Sequence, residues 1–332
     1  MTPPLRAPQF WGRPAGPLAL ALAPLGALYG SVARARLAHP APRTALPVIA
    51  IGGLTLGGDG KTPTALALAR MLLEQGERPA FLTRGYGRAG AGLAPLRPDP
   101  ARHAARDVGD EALLLAALAP TYVGADRAAA ARLAGAEGAS VLLLDDGLHS
   151  RRLLPDLAIL VVDAAYGAGN GLCPPAGPLR APLSAQLACA DAVILIGEGE
   201  SPLWLRPAKT LLRGRLVADP AAAARLAGAR VFAFAGIGRP QKFLRSLQEI
   251  GAQVVGERWF PDHHLYDERE LAALARAAER RSARLVTTEK DARRFGAGRE
   301  IETLPVRLEF ERPEQVAALL PRRLSPRAFP RP

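Results

Sequence analysis

The stretch Gly57-Gly58-Asp59-Gly60-Lys61-Thr62-Pro63 constrains this chain more than any other. An apolar run, Val48-Ile49-Ala50-Ile51, precedes it and reads as a buried strand, and residues 64–73 after it read as a helix. A glycine-rich turn from strand to helix that closes on Lys-Thr offers backbone N–H groups to the phosphates of a nucleotide. In that reading Lys61 reaches the β- and γ-phosphates and the Thr62 hydroxyl sits on Mg2+. The ordinary pattern, G-x-x-x-x-G-K-[ST], has its first glycine where Thr55 stands, so the strict form fails while Gly57 to Thr62 is intact. Pro63 falls in the first helical turn, where its missing N–H costs nothing. A plain glycine-rich hairpin with a chance Lys-Thr fits the same residues, so the surroundings must decide.

Those surroundings alternate strand and helix. Strands are expected at 48–51, 80–83, 121–124, 141–144, 158–162 and 192–196, with helices at 64–73, 110–118 and 127–134. The near-continuous Val/Ile/Leu runs suit parallel strands buried on both faces. A second, smaller α/β block follows, with strands at 231–235, 253–256 and 285–288 and helices at 240–250 and 271–278. The Ala-rich stretch 219–228 is the expected boundary. The fold class is therefore α/β: a P-loop NTPase-like parallel-sheet domain over 41–218 and a smaller α/β domain over 229–320. The tail 321–332, rich in Pro and Arg, is expected to be poorly ordered.

Residues 1–40 differ from the rest. Phe10 and Trp11 lead into an apolar stretch over 18–29, followed by Arg34 and Arg36. Pro17 and Pro24 interrupt it, and it is short for a bilayer span of ~20 residues. An interfacial, membrane-associated helical segment is one reading, with Trp11 and Tyr29 at headgroup level and arginines on anionic lipid. A helix packed on the core is the other. A signal peptide sits badly with a loop that needs cytosolic ATP.

Net charge is +12, which favours nucleic acid, anionic lipid or a phosphorylated substrate as partner. Aromatic residues are only 5%, and no aromatic-rich strand offers a stacking platform, which argues against nucleic acid. Two cysteines, Cys173 and Cys189, are too few for a disulfide framework.

Five further clusters are candidates for chemistry. The run 141–144 ends in Asp145-Asp146, carboxylates placed as P-loop enzymes place theirs for Mg2+. Asp110, at a helix start, is a helix cap or the carboxylate that takes a proton from an acceptor hydroxyl. Asp262-His263-His264 holds two of the five histidines; adjacent histidines seldom share a metal ion, so an orienting or acid–base role fits better. Thr287-Thr288-Glu289-Lys290-Asp291 and Arg84-Gly85-Tyr86-Gly87 follow strands, where parallel sheets place ligands or simple turns.

In order, these motifs resemble the tetraacyldisaccharide 4'-kinases of Gram-negative bacteria over nearly the whole chain. The likeness also takes in Gly169-Asn170-Gly171, Pro175-Ala176-Gly177-Pro178-Leu179-Arg180 and Ala235-Gly236-Ile237-Gly238, with Pro240 and Phe243. The resemblance implies transfer of the ATP γ-phosphate to the 4'-hydroxyl of a tetraacyl disaccharide 1-phosphate in lipid A synthesis. It also implies a peripheral place on the cytoplasmic face of the inner membrane, against an anionic surface, with no obligate protein partner. ATP and Mg2+ are the implied cofactors. Gly57, Gly58, Asp59, Gly60, Lys61 and Thr62 would bind nucleotide, Thr62, Asp145 and Asp146 the metal, and Asp110 and His263 would be catalytic. Asp110 would accept the hydroxyl proton while His263, favoured over His264, orients it. The alternatives are a membrane-associated P-loop ATPase switch without a lipid acceptor, and a nucleotide-binding module without chemistry. The chain departs from the family at His149-Ser150, where Gln-His is usual, at Gly53 for Asn and at Ala181 for Glu. His149 is a candidate to replace part of the missing pair.

Overall fold

In the computed structural model, residues 7–85, 94–295 and 300–324 are described, with side chains through residue 320. Tyr86 and Gly87 of the expected RGYG turn, residues 1–6 of the N-terminal segment and 325–332 of the tail lie outside the described residues.

The larger sheet contains β1 (Val48–Gly53), β2 (Pro79–Thr83), β3 (Thr121–Val123), β4 (Val141–Asp145), β5 (Leu157–Asp163), β6 (Ala192–Ile196) and β7 (Leu211–Ala218). The smaller sheet is built from β8 (Arg230–Ala235), β9 (Gln253–Trp259), β10 (Arg284–Thr288) and β11 (Glu302–Leu304). The last strand, β12 (Val306–Phe310), returns to the larger sheet, whose order is β12-β7-β6-β5-β1-β4-β2-β3. All its pairings are parallel except β12 on β7. The smaller sheet, β11-β10-β8-β9, is parallel throughout.

Both faces of the larger sheet are buried, and β1 shows how. Ile49 and Ile51 pack with helix Lys61–Glu74 on one side. Val48 and Ala50 pack with helix Arg127–Ala136 on the other. A strand whose two faces both meet helices must be apolar at every position, and β1 is. Such a sheet leaves only strand ends for polar function, and the loops after β1, β4 and β5 all open at the C-terminal ends.

Three expectations are corrected. First, the prolines do not interrupt the N-terminal helix, which runs Pro17–Ala38 over 22 residues. Pro17 is its first residue, and Pro24 lies on the exposed side, so the carbonyl it leaves unpaired is not sealed in a core. This helix is long and apolar enough to cross a membrane by length and composition. It docks through small residues: a Cβ on Gly26 would meet the Cys173 carbonyl oxygen at 2.7 Å, and one on Gly30 would meet the Cys173 sulfur at 3.3 Å. Trp11, expected at headgroup level, is buried and donates its indole N–H to the Pro175 carbonyl at 3.0 Å. Second, the expected boundary stretch 219–228 is helical and belongs to the smaller unit. Asp219 caps helix Pro220–Leu226, and Ala222 and Leu226 pack into the core of the smaller sheet. Third, the segment from β12 onward does not stay with the smaller unit. β12 and helix Pro313–Leu324 cover the larger sheet, where Leu308, Val316 and Leu320 are buried.

Candidate active site

β1 delivers the glycine-rich loop. Gly60 precedes the helix with φ 101°, a left-handed conformation suited to glycine, and a Cβ there would meet Ile196 at 2.7 Å. Lys61 and Thr62 open the helix, where unpaired backbone N–H groups and the helix dipole favour an anion. Lys61 stands within electrostatic reach of Glu111, Asp145 and Asp146.

β4 runs beside β1 with Ile51 opposite Asp145, which brings Asp145 to the helix start. The Thr62 hydroxyl donates to Asp145 Oδ2 at 3.3 Å. Asp145 Oδ1 is buried and has no hydrogen-bond partner among the described residues. Burial pushes this carboxyl up to about 7, with the Glu111 and Asp146 charges adding and Lys61 opposing. A buried carboxylate oxygen lacking a donor, next to a hydroxyl, fits a hard divalent cation. Among the described residues no cluster of three His, Cys, Asp or Glu side chains forms a closed metal cage.

Asp146 is placed differently. Its φ is 58°, and its side chain turns to Arg180, whose Nη1 lies 2.9 Å from Oδ1 and 3.0 Å from Oδ2. Burial would raise this carboxyl, but Lys61 and Arg180 hold it at about 2. Arg180 also donates to the Thr55 carbonyl at 2.9 Å, so it ties the β4 end to the loop.

His149 bonds through Nε2 to Gln186 Oε1 at 2.7 Å. The Gln186 amide nitrogen donates to the Leu54 and Ala181 carbonyls at 3.2 and 2.6 Å, which fixes the amide orientation. Gln186 Oε1 is therefore an acceptor, and His149 carries its proton on Nε2. Burial lowers His149 to about 4, so the ring is neutral.

Asp110 sits at the start of helix Asp110–Ala116 with 5% of its surface exposed. The three groups that stabilise its charge, His263, Lys290 and Arg294, come from the smaller unit. His263 Nδ1 approaches its two oxygens at 3.2 and 3.1 Å, and Arg294 Nε donates to Oδ2 at 2.7 Å. Lys290 adds its charge and pairs with Glu111 at 3.0 Å. Burial alone would raise the Asp110 carboxyl; Lys290, His263 and Arg294 together hold it well below the carboxylate range. His263 has φ 59°, an uncommon backbone state for a side chain of this size, held by the turn after β9. His264 faces away, bonded to Glu270 at 2.9 Å and stacked on Phe260 at 4.7 Å.

Asp163, Gln186, Arg239 and Arg294 do not stand out in the sequence, and Glu111, Arg180 and Lys290 lie in motifs that assign them no role. Asp163 ends β5 as Asp145 ends β4, so its position at a strand terminus was a usable signal. Arg294 had none, since only the packing of two units brings it to Asp110.

Fold and site together define a class: a P-loop kinase in which a second α/β unit completes the carboxylate–imidazole pair. Comparison with known proteins narrows it. The family model for tetraacyldisaccharide-1-P 4'-kinase matches residues 18–325. A tetraacyldisaccharide 4'-kinase of Methylobacterium sp. (strain 4-46) is 53% identical over 328 residues, covering 97% of each chain. One from Bradyrhizobium sp. (strain BTAi1) is 46% identical, covering 97% of this chain and 96% of the relative. The solved LpxK of Aquifex aeolicus, in complex with ATP, is 26% identical with a TM-score of 0.72, over 93% of this chain and 100% of that one. The chain belongs to the tetraacyldisaccharide 4'-kinase family.

Proposed function

We propose that the protein transfers the γ-phosphate of ATP to the 4'-hydroxyl of a tetraacyl disaccharide 1-phosphate in lipid A synthesis. The observation that carries this reading is the Asp110–His263 pair at 3.1 Å, next to Glu111, whose charge feels Lys61 of the phosphate loop. A hydrolytic switch needs to position water; a carboxylate–imidazole pair placed beside the loop suits an acceptor hydroxyl.

Lys61 and the loop N–H groups hold the β- and γ-phosphates. Thr62 and Asp145 would hold Mg2+, which neutralises charge on the transferring phosphoryl group. Asp146, paired with Arg180, supports that site from one step further out. Asp110 accepts the 4'-hydroxyl proton. Its three surrounding positive or hydrogen-bonding groups make it a weak base, so the proton moves late, in step with O–P bond formation. A loose phosphoryl-transfer transition state needs no earlier deprotonation. His263 orients the carboxylate through Nδ1.

One observation favours a second reading of the proton's path. Both Asp110 oxygens already accept bonds, from the Glu111 N–H at 2.8 Å, His263 and Arg294. In that reading Asp110 fixes the imidazole and His263 Nε2 takes the proton. Asp110→Asn then costs less activity than His263→Ala, whereas the first reading expects the reverse.

The exposed side of helix Pro17–Ala38 carries Leu18, Leu20, Leu25, Leu28, Tyr29 and Val32. These side chains suit insertion at the surface of the inner membrane on its cytoplasmic side, where both ATP and the lipid acceptor are reached. The test of the function is incubation with Mg-ATP and a tetraacylated disaccharide 1-phosphate, followed by mass analysis. A gain of one phosphate on the non-reducing sugar is expected; vigorous ATP hydrolysis with no phosphorylated lipid would overturn the reading.

A further inference from the structure

Two cations of the smaller unit reach the phosphate loop of the larger one. Arg239 precedes helix Pro240–Glu249, and Lys242 lies in its first turn. Arg239 Nη1 donates to Asp163 Oδ2 at 2.7 Å. Its Nη2 donates to Thr55 Oγ1 at 2.6 Å and lies 3.0 Å from Asp59 Oδ1. The guanidinium lies 3.8 Å from the Tyr166 ring centroid. Lys242 Nζ donates to the Gly58 carbonyl at 2.9 Å and pairs with Asp163 Oδ2 at 2.8 Å.

The loop is built to receive them. The Thr55 hydroxyl donates to Asp59 Oδ1 at 2.5 Å, and the Thr55 N–H donates to Asp59 Oδ2 at 2.7 Å. Both residues are buried. Thr55 stands where the ordinary loop pattern has its first glycine, and a glycine has no hydroxyl to join Asp59 to Arg239. A Cβ on Gly58 would meet Arg239 Cγ at 2.7 Å, so the guanidinium's approach requires glycine there. The Gly58 carbonyl and the Asp59 N–H share one trans peptide plane and point in opposite directions. Holding that carbonyl on Lys242 therefore aims the Asp59 N–H away from the smaller unit.

We propose that Arg239 and Lys242 are positioning residues for the nucleotide: they clamp the loop, through Thr55, Asp59 and the Gly58 carbonyl, in one conformation before ATP arrives. The inference rests on reading Gly57 to Thr62 as the nucleotide loop. A loop with left-handed glycines at 57, 58 and 60 has much conformational freedom to lose on binding. Fixing it in the folded protein moves that cost from binding to folding. The departure at Thr55 is then part of the clamp.

The test uses the full chain, with Mg-ATP binding measured by calorimetry and KM for ATP and kcat measured with the lipid acceptor. Arg239→Ala is expected to raise KM for ATP about tenfold or more while kcat changes less than about threefold. Arg239→Lys, which keeps one ion pair, should recover part of the loss. Thr55→Val should also raise KM, and Thr55→Val with Arg239→Ala should be no worse than Arg239→Ala alone, because both break one link. Should Arg239→Ala fail to fold, Lys242→Met, which frees the Gly58 carbonyl, is expected to raise KM in its place. A KM within about twofold of wild type in the folded variant overturns the clamp, as do Thr55 and Arg239 effects that simply multiply. Failure of the wild-type protein itself to bind ATP overturns the nucleotide reading and the clamp with it.

Discussion

Replacing Arg294 with Met should cost as much stability as emptying a core position. The Arg294 side chain is 1% exposed and holds two buried carboxylates, Asp110 through Nε at 2.7 Å and Asp291 through Nη1 at 2.5 Å. It also donates to the Gly236 carbonyl at 2.7 Å. Removing one partner of a buried ion pair leaves uncompensated charge and costs about 3–5 kcal/mol. Here one cation serves two carboxylates, which argues for the upper end. Opposing this, Asp291 keeps its bonds from Tyr266, Thr288 and the Gly236 N–H, and Asp110 keeps His263. The expected loss is therefore about 4 kcal/mol at pH 7. The pH dependence has a definite sign. In the wild type Asp110 lies below its ordinary value, so its contribution is present above pH ~4 and is lost as pH falls. In Arg294→Met the carboxyl loses that cation and its pKa rises, and protonating it relieves the buried charge. The deficit of the variant should thus be largest near neutrality and shrink as pH falls towards the ordinary carboxylate range, because Lys290 and His263 still act on Asp110. Urea unfolding followed by circular dichroism at several pH values reads this directly, and adding Asp110→Asn should restore part of the stability. A deficit below about 1 kcal/mol at pH 7, or one that grows on acidification, would refute the reasoning.

The remaining tests address donor, membrane and tautomer. Lys61→Ala should lower phosphate transfer by roughly 10²–10³-fold, and Asp110→Ala should also abolish measurable turnover while binding Mg-ATP better than Lys61→Ala does in calorimetry. Changing Leu18, Leu20, Leu25 and Leu28 together to Ser should remove about 1 kcal/mol each of interfacial burial, roughly a thousandfold in partition onto anionic vesicles. Flotation assays check this, and an unchanged partition would show that the helix face does not meet lipid. His149 should show its proton on Nε2 in 15N-resolved spectra and remain neutral down to about pH 5, since burial lowers it to about 4. A protonated ring at pH 6 would contradict the effect of burial, and a neutral ring with its proton on Nδ1 would contradict the Gln186 assignment.

What was legible in the sequence was what local pattern determines. β1, β2, β4, β5 and β6 are continuous apolar runs because both their faces are covered, so each stood out as a strand. The loop and the β4 carboxylates are strand-end features and were read in place. β7, β11 and β12 were missed for the converse reason. β7 interleaves Arg213 and Arg215 with apolar residues, and β12 carries Arg307 and Glu309, because both lie towards a sheet edge with partly exposed side chains. The Ala-rich composition of 219–228 hides a helix start at Asp219-Pro220, although an Asp cap followed by Pro is a helix signal. Within the site, sequence could nominate Asp110 and the histidine pair but could not orient them. The turn that sends His263 to Asp110 and His264 to Glu270 depends on Phe260 and Tyr266 packing under β8.

The placement of charge explains why the reaction needs a second unit at all. In the proposed function Asp59 and Asp163 lie at the donor side and Asp110 and Glu111 at the acceptor side, and all four belong to the larger unit. Nearly all their cations, Arg239, Lys242, Lys290 and Arg294, belong to the smaller one. Without the smaller unit these buried or half-buried carboxylates would lose most of their cations, which is unfavourable. Joined, the two sets of charges neutralise each other and leave Lys61 as the positive group directed at the phosphates. The smaller unit thereby touches both the glycine-rich loop and Asp110, the donor and acceptor ends of the proposed transfer. The two ends of the transfer are set by one packing arrangement, so their alignment follows from how the units meet rather than from either unit by itself.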